Sequence, residues 1–279
     1  MRINGNEKNT NRDILKTRTR TIIIHINFSA NFVMKLLRFL SLPFLLAGLW
    51  VWTSASELVP VILLPHPLDV LRSAIDSVTD GSLLKHCLAS ARRSLSGFFL
   101  AAIFGVTLGL LFVRNPRLYQ ISYLPIEALR VTPPLALVPL LILWLGIDEA
   151  PKVAIVFLSS FFPIYLNTLS AVASIDKKLV EVGQLLGFTS LEQFKLLILP
   201  SALPGILSGL RLGFGYSWRA LVGAELIAAS SGLGFLISES AEFAKTDVVF
   251  IGILTIALLG VMADFVLSRL CQSVIHHRL

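Results

Sequence analysis

Long uncharged stretches alternate with short clusters of charge along this chain. Twenty uncharged residues separate Arg93 from Arg114, and twenty-three separate Lys152 from Asp176. A helix rises about 1.5 Å per residue, so about 20 residues cross the roughly 30 Å hydrocarbon layer of a bilayer. Each stretch predicts one membrane-spanning helix. Leu36 to Ser56, with Arg38 near its start, and Val248 to Ser268, with Asp264 near its end, predict two more. Two further apolar segments carry charges inside. Ile121 to Leu145 holds Glu127, Arg130, Pro125, Pro133, Pro134 and Pro139, and Ala202 to Ala229 holds Arg211, Arg219 and Glu225. The pattern predicts six crossings, an all-α polytopic membrane fold. The third crossing is expected to be bent or broken, because each proline removes a backbone donor that its neighbours must replace.

Finer spacing adds detail to these spans. Gly97, Ala101, Gly105 and Gly109 stand four residues apart in the second, as do Gly205, Gly209 and Gly213 in the fifth. Each stripe gives its helix a smooth face that lets another helix approach closely, mainly within this chain. After the first span, Pro60, Pro65 and Pro67 lead into Val70, Leu71, Ala74, Ile75 and Val78 at helical spacing. That segment predicts a short amphipathic helix lying on the outer membrane face or against the spans.

Composition agrees with a membrane chain. Of 279 residues, 55% are hydrophobic and only 15% charged, where soluble chains carry about 25%, and the mean hydropathy is +0.78. A soluble enzyme is excluded. The net charge of +7 falls between apolar runs rather than on a polar domain, which favours membrane topology over a nucleic-acid partner. With both termini in the cytoplasm, fifteen Lys and Arg lie inside and six outside, the six accompanied by nine acidic residues. The positive-inside rule selects that orientation.

Residues 1–33 are rich in Asn, Thr and Arg, and Met34-Lys35-Leu36 reads as a second possible start. They are either an untranslated leader or a basic tail that binds anionic lipid. The membrane domain is assigned to residues 34–279. Met34 to Ser56 also has the build of a signal peptide, and its removal would leave five spans. Cys87 and Cys271 lie far apart and His276 and His277 stand in the tail, so no disulfide framework or metal site is indicated. No P-loop, HExxH or Gly-x-Ser-x-Gly motif is present, and no catalytic residue is assigned.

Charges inside spans are costly and mark function unless they pair locally. Glu127 and Arg130 are three residues apart and can pair on one helix face, which assigns Arg130 to holding the broken third span. Arg211 lies near the cytoplasmic end of its span and is expected to snorkel. Arg219 and Glu225 are about 120° apart on an ideal helix, so their direct pairing is strained. Arg219 is therefore the best candidate for a polar substrate path, with Asn167, Ser217 and Arg130 as further members.

The cytoplasmic loop between spans four and five reads Glu181-Val182-Gly183, three residues, Gly187, nine residues, then Leu197-Ile198-Leu199-Pro200. Leu179, Val182, Leu185 and Leu186 give one short helix an apolar face, Gly187 permits a sharp turn, and Leu191, Phe194, Leu197 and Ile198 give a second. An apolar helix pair in the cytoplasm needs a partner. The spacing resembles the EAA loop of ATP-binding cassette (ABC) importer permeases, Glu-Ala-Ala, three residues, Gly, nine residues, Ile-x-Leu-Pro. Val182 and Gly183 replace the two alanines, and Leu197 replaces the isoleucine. The segments Arg130 to Glu149, Phe162 to Thr168 and Glu242 to Val249 also resemble permeases for aliphatic sulfonates, taurine and nitrate, the sulfonate branch above all. The resemblance runs from about Met34 to the C-terminus.

That resemblance implies a homodimer working with two ATPase subunits, which bind the ATP, and with an extracytoplasmic substrate-binding protein. It implies alternating access driven through the loop around Gly187, with no cofactor on this chain. The rival reading is a secondary transporter or channel without an ATPase. That class predicts inverted repeats and midplane carboxylates; no repeat is evident, and Glu225 alone gives it thin support.

Overall fold

The computed structural model describes residues 41–56 and 58–276. Residues 1–33, and the opening of the first expected span, lie outside the described residues. The chain divides into two units, residues 1–67 and 68–279. In the first, helix α1 (Ser41–Ala55) is apolar but only 15 residues long. The Trp50 indole N–H donates to the Pro65 carbonyl at 3.0 Å, and the Ser54 hydroxyl lies 2.7 Å from Nδ1 of His66.

Every regular element among the described residues of the second unit is a helix. Helix α2 (Pro67–Thr79) forms where the apolar spacing predicts it, burying Val70 and leaving Leu71, Ile75 and Val78 exposed. Helix α3 (Ser82–Arg114) follows Gly81, whose φ is +77°. The Asp80 carboxylate takes the Ser82 N–H at 2.8 Å, and that bond holds the exposed Asp80 carboxyl below its ordinary pKa. Helix α4 (Pro116–Val131) opens on a proline, as first helical turns tolerate. A 3-10 turn (Pro134–Leu137) and α5 (Val138–Leu145) complete the segment expected as the third crossing, bent by 92° from α4. Pro133 and Pro134 bring the break that the sequence implies, and Gly146, at φ +83°, ends α5.

Helix α6 (Glu149–Ala173) leads to the short α7 (Lys177–Leu185), and α8 (Ser190–Ala228) is a single 39-residue helix. The expected second short helix of the cytoplasmic loop is thus not separate; it is the first part of α8. A π turn at Phe194–Ile198 joins them, with the Leu199 N–H donating to the Phe194 carbonyl. The wider turn accommodates Pro200, which has no N–H to give. Helices α9 (Leu233–Glu242) and α10 (Thr246–His276) end the fold. Among the described residues four helices, α3, α6, α8 and α10, are long and apolar enough to cross a membrane, and α4 with α5 makes a fifth candidate.

Helix α6 sits between α3 and α8, and the two glycine stripes are the reason. A Cβ added at Gly97, Gly105 or Gly109 would stand within 3.0 Å of Val156, Ile164 or Thr168, and one at Gly205, Gly209 or Gly213 within 2.7 Å of Ala171, Asn167 or Ile164. Without side chains on those faces the helices close to van der Waals contact, which is what holds helices together in lipid. Phe98, Phe161, Phe162, Ile164, Tyr165 and Phe214 fill the core around this seam.

Candidate functional site

Three constructions in the second unit can bear on transport. The first is the loop at α7 and the start of α8. Asp176 caps α7 by accepting the Lys178 N–H at 2.9 Å. Gly187 has φ +74°, the Phe188 N–H donates to the Gly183 carbonyl and the Gly187 N–H to the Gln184 carbonyl, each at 3.0 Å. This pair of hydrogen bonds across a left-handed residue is the Schellman ending. Thr189 and Glu192 then form a capping box that starts α8. Val182, Leu185, Leu186 and Leu191 are exposed, Leu185 at 88% of its surface. Glu181 is exposed, while Gly183 is buried and Leu197, Leu199 and Pro200 are half-buried. The loop is therefore a rigid turn with apolar side chains aimed away from its own chain.

The second is a cavity of about 590 Å³ between the broken third crossing, α6 and α8. Arg130, Asn167 and Arg219 all line it, with Leu135, Phe162 and Tyr216 among the other walls. Ser217 does not line it: its side chain is fully buried and its hydroxyl donates to the Phe214 carbonyl at 2.7 Å. Arg130 donates from Nε to Glu127 at 2.9 Å and from Nη2 to the same carboxylate, the local pair the spacing predicts. It thus serves both the pair and the cavity. Arg219 has no ion-pair partner among the described residues, and its guanidinium lies 5.9 Å from the centre of the Tyr216 ring. Asn167 donates from Nδ2 to the Pro163 carbonyl at 2.8 Å. Arg211, expected to snorkel, is instead ion-paired to Asp264 of α10 at 2.7 Å.

The third was not anticipated from the sequence. Arg93, only 1% exposed, donates from Nε and Nη2 to the two Glu149 oxygens, each at 2.6 Å, and from Nη1 to Glu225 at 2.7 Å. It also donates to the Ser231 carbonyl at 2.6 Å and to the Ser231 hydroxyl at 2.9 Å. Glu225 further accepts from the Ser90 hydroxyl at 2.8 Å and from the Gly234 N–H at 3.0 Å. A Cβ at Gly232, which has φ +114°, would stand 2.3 Å from Glu225 Oε1, so only glycine passes there. Lys152 is buried beside this cluster and donates to the Asp148 carbonyl at 2.9 Å. The cluster is a clasp joining α3, the start of α6, the end of α8 and the turn before α9. It also accounts for Glu225, which is committed to Arg93 rather than to an ion path. A signal for it was present: Arg93 stands four residues before Gly97 and so extends the smooth face of α3.

A bundle of long apolar helices around one seam, with an exposed apolar turn, has the build of a membrane transport subunit. Residues 100–276 match the family of binding-protein-dependent transport system inner membrane components, and the chain belongs to it. It is 37% identical over 227 residues to the putative aliphatic sulfonates transport permease protein of Bacillus subtilis, covering 81% of this chain and 82% of the relative. To the taurine transport system permease protein of Escherichia coli it is 37% identical over 225 residues, covering 78% and 82%. The nitrate import permease protein of Leptolyngbya laminosa is 26% identical over 241 residues, covering 83% and 85%. Among solved structures, an inward-facing conformation of the MetNI methionine ABC transporter matches with a TM-score of 0.60 at 17% identity, covering 69% of this chain and 95% of that one; this likeness concerns the fold. The chain is a permease subunit of an ABC importer in the inner membrane; it is not an enzyme, and the ATPase of such a system is a separate subunit.

Proposed function

We propose that this permease carries small oxyanion-bearing solutes into the cytoplasm, aliphatic sulfonates foremost, with taurine and nitrate as the alternative choices. The observation that carries this reading is the cavity with Arg130, Arg219 and Asn167 in its wall and no acidic residue in its described lining. An anion crossing a low-dielectric region needs such groups on the way. Relatives named for sulfonates and taurine, each 37% identical, support the same choice.

In this reading two copies of the chain assemble with two ATPase subunits and an extracytoplasmic binding protein. The exposed Val182, Leu185, Leu186 and Leu191 meet the ATPase, and the turn at Gly187 keeps α7 and α8 at a fixed angle, so closure of the ATPase dimer on ATP moves α8. Glu181, Val182, Gly183, Gly187, Leu197, Leu199 and Pro200 are the coupling loop. Both termini lie in the cytoplasm, residues 34–279 form the transport domain, and a chain begun at Met34 is active. Deletion of this chain, followed by growth on ethanesulfonate, taurine or nitrate as single sulfur or nitrogen source, tests the reading. Loss of growth on ethanesulfonate is expected; unaffected growth on all three overturns it.

A further inference from the structure

The cavity's own charge can be added up, and the sum selects a ligand. Its described lining contains two cations, Arg130 and Arg219, and no carboxylate. Arg130 is held by two of its nitrogens on Glu127 one turn earlier, so that pair contributes no net charge. Arg219 has no such partner among the described residues and faces the Tyr216 ring. One positive charge is left unbalanced. Much of the remaining wall is apolar, with Leu135, Leu158, Phe162 and Leu166. The Asn167 nitrogen that donates to Pro163 keeps a second N–H to offer.

We propose that this cavity is a charge filter for organic monoanions, and that Glu127 sets its value. The proposal rests on the anion-import reading and sharpens it. A singly charged head on Arg219, with its short alkyl tail against Leu135, Leu158 and Phe162, leaves the cavity electrically neutral. A dianion leaves one uncompensated negative charge in a low-dielectric wall, which is expensive. A zwitterion fares no better, because its ammonium is repelled by Arg219 and finds no free carboxylate. Removing the Glu127 charge would release Arg130 and raise the cavity sum to two, so Glu127 determines specificity without touching the ligand. It is a positioning residue that acts through Arg130.

The test uses the permease–ATPase complex in lipid nanodiscs, free of binding protein so that the cavity alone selects. Saturation-transfer NMR compares three molecules of similar size: ethanesulfonate, ethyl phosphate at a pH where it is a dianion, and taurine. Ethanesulfonate is expected to bind about tenfold more tightly than either of the others, the worth of one charge-assisted contact. Arg219→Met is expected to lose that binding and Arg219→Lys to retain most of it. Glu127→Gln is expected to move the preference toward ethyl phosphate by about tenfold, the readout that a merely structural role would not move. Equal binding of ethanesulfonate and ethyl phosphate by the unaltered complex overturns the proposal, as does a Glu127→Gln complex with the original ratio. If Arg219→Met fails to assemble, the Glu127→Gln ratio decides. Uptake of ethanesulfonate into liposomes by the full system with its binding protein is measured alongside. Failed uptake with the filter ratio intact counts against the import reading alone, and uptake with equal binding counts against the filter alone.

Discussion

Leu197 fills the space that a side chain on Gly183 would occupy: a Cβ built on Gly183 would lie 2.6 Å from Leu197 Cδ1. Both residues depart from the EAA pattern, the small one where alanine is usual and the longer reach where isoleucine is usual. The two departures meet in space, so each accommodates the other. Gly183→Ala should therefore push the half-buried Leu197 tip aside and lose to that overpacking most of what alanine gains over glycine inside a helix, about 0.5–1 kcal/mol. Gly183→Ala with Leu197→Ile should recover most of it. Thermal inactivation of substrate-stimulated ATPase in the assembled complex reads the difference; equal loss in the single and double variants would refute the pairing.

The open space around Gly187 allows a cleaner experiment on the turn. No atom lies within 4 Å of a Cβ added there, yet φ is +74°, so a substitution is penalised by the backbone alone. Gly187→Val should strain the turn by about 1–3 kcal/mol, insert normally and uncouple ATP hydrolysis from uptake. Asn tolerates the left-handed region better, and Gly187→Asn should be milder. Full uptake and full stimulated ATPase in Gly187→Val would remove this loop as the coupling element.

For the clasp, Arg93→Met leaves Glu225 buried with its cation gone. A loss of about 3–5 kcal/mol is expected, as when one partner of a buried pair is deleted. Arg93→Lys should recover only part, since an ammonium cannot offer two parallel bonds to Glu149. Arg93→Met combined with Glu225→Gln should be more stable than Arg93→Met alone. Unfolding temperatures in detergent decide the order, and a fully stable Arg93→Met would show that the clasp carries no stability.

Orientation is open to a direct labelling test. With Cys87 and Cys271 replaced, a single cysteine at Asp80, in the turn before α3, should react with impermeant reagent in intact cells, and one at Ser174, in the turn after α6, only after the cells are permeabilised. Labelling of both from one side would overturn the topology.

Much of the fold was legible because its determinants are local. Uncharged runs gave the long helices, Pro133 and Pro134 gave the break, and the stripes at Gly97 and Gly205 gave the smooth faces. Glu127 and Arg130 were found because their pairing spans one helical turn. What escaped depends on residues far apart in sequence. Arg93 meets Glu149 and Glu225 across separations of 56 and 132 positions, and counting charges by loop placed it among the outer cations instead. Arg211 reaches Asp264 over 53 positions for the same reason. Ser217 looked polar enough for a path, but serines on a helix satisfy themselves on a preceding carbonyl, as this one does on Phe214.

The length of α8 has a mechanical consequence. Its 39 residues run from the capping box at Thr189 to beyond Glu225, through one π turn at Phe194–Ile198, roughly 58 Å at the usual helical rise. A tilt of about 5° imposed at one end of such a rod sweeps its other end through roughly 5 Å, far more than a side-chain adjustment absorbs. The clasp grips the far end of that rod. It therefore acts as a fulcrum: the clasped ends of α3, α6 and α8 turn together or not at all, and the kink at Pro133 is left as the joint that yields.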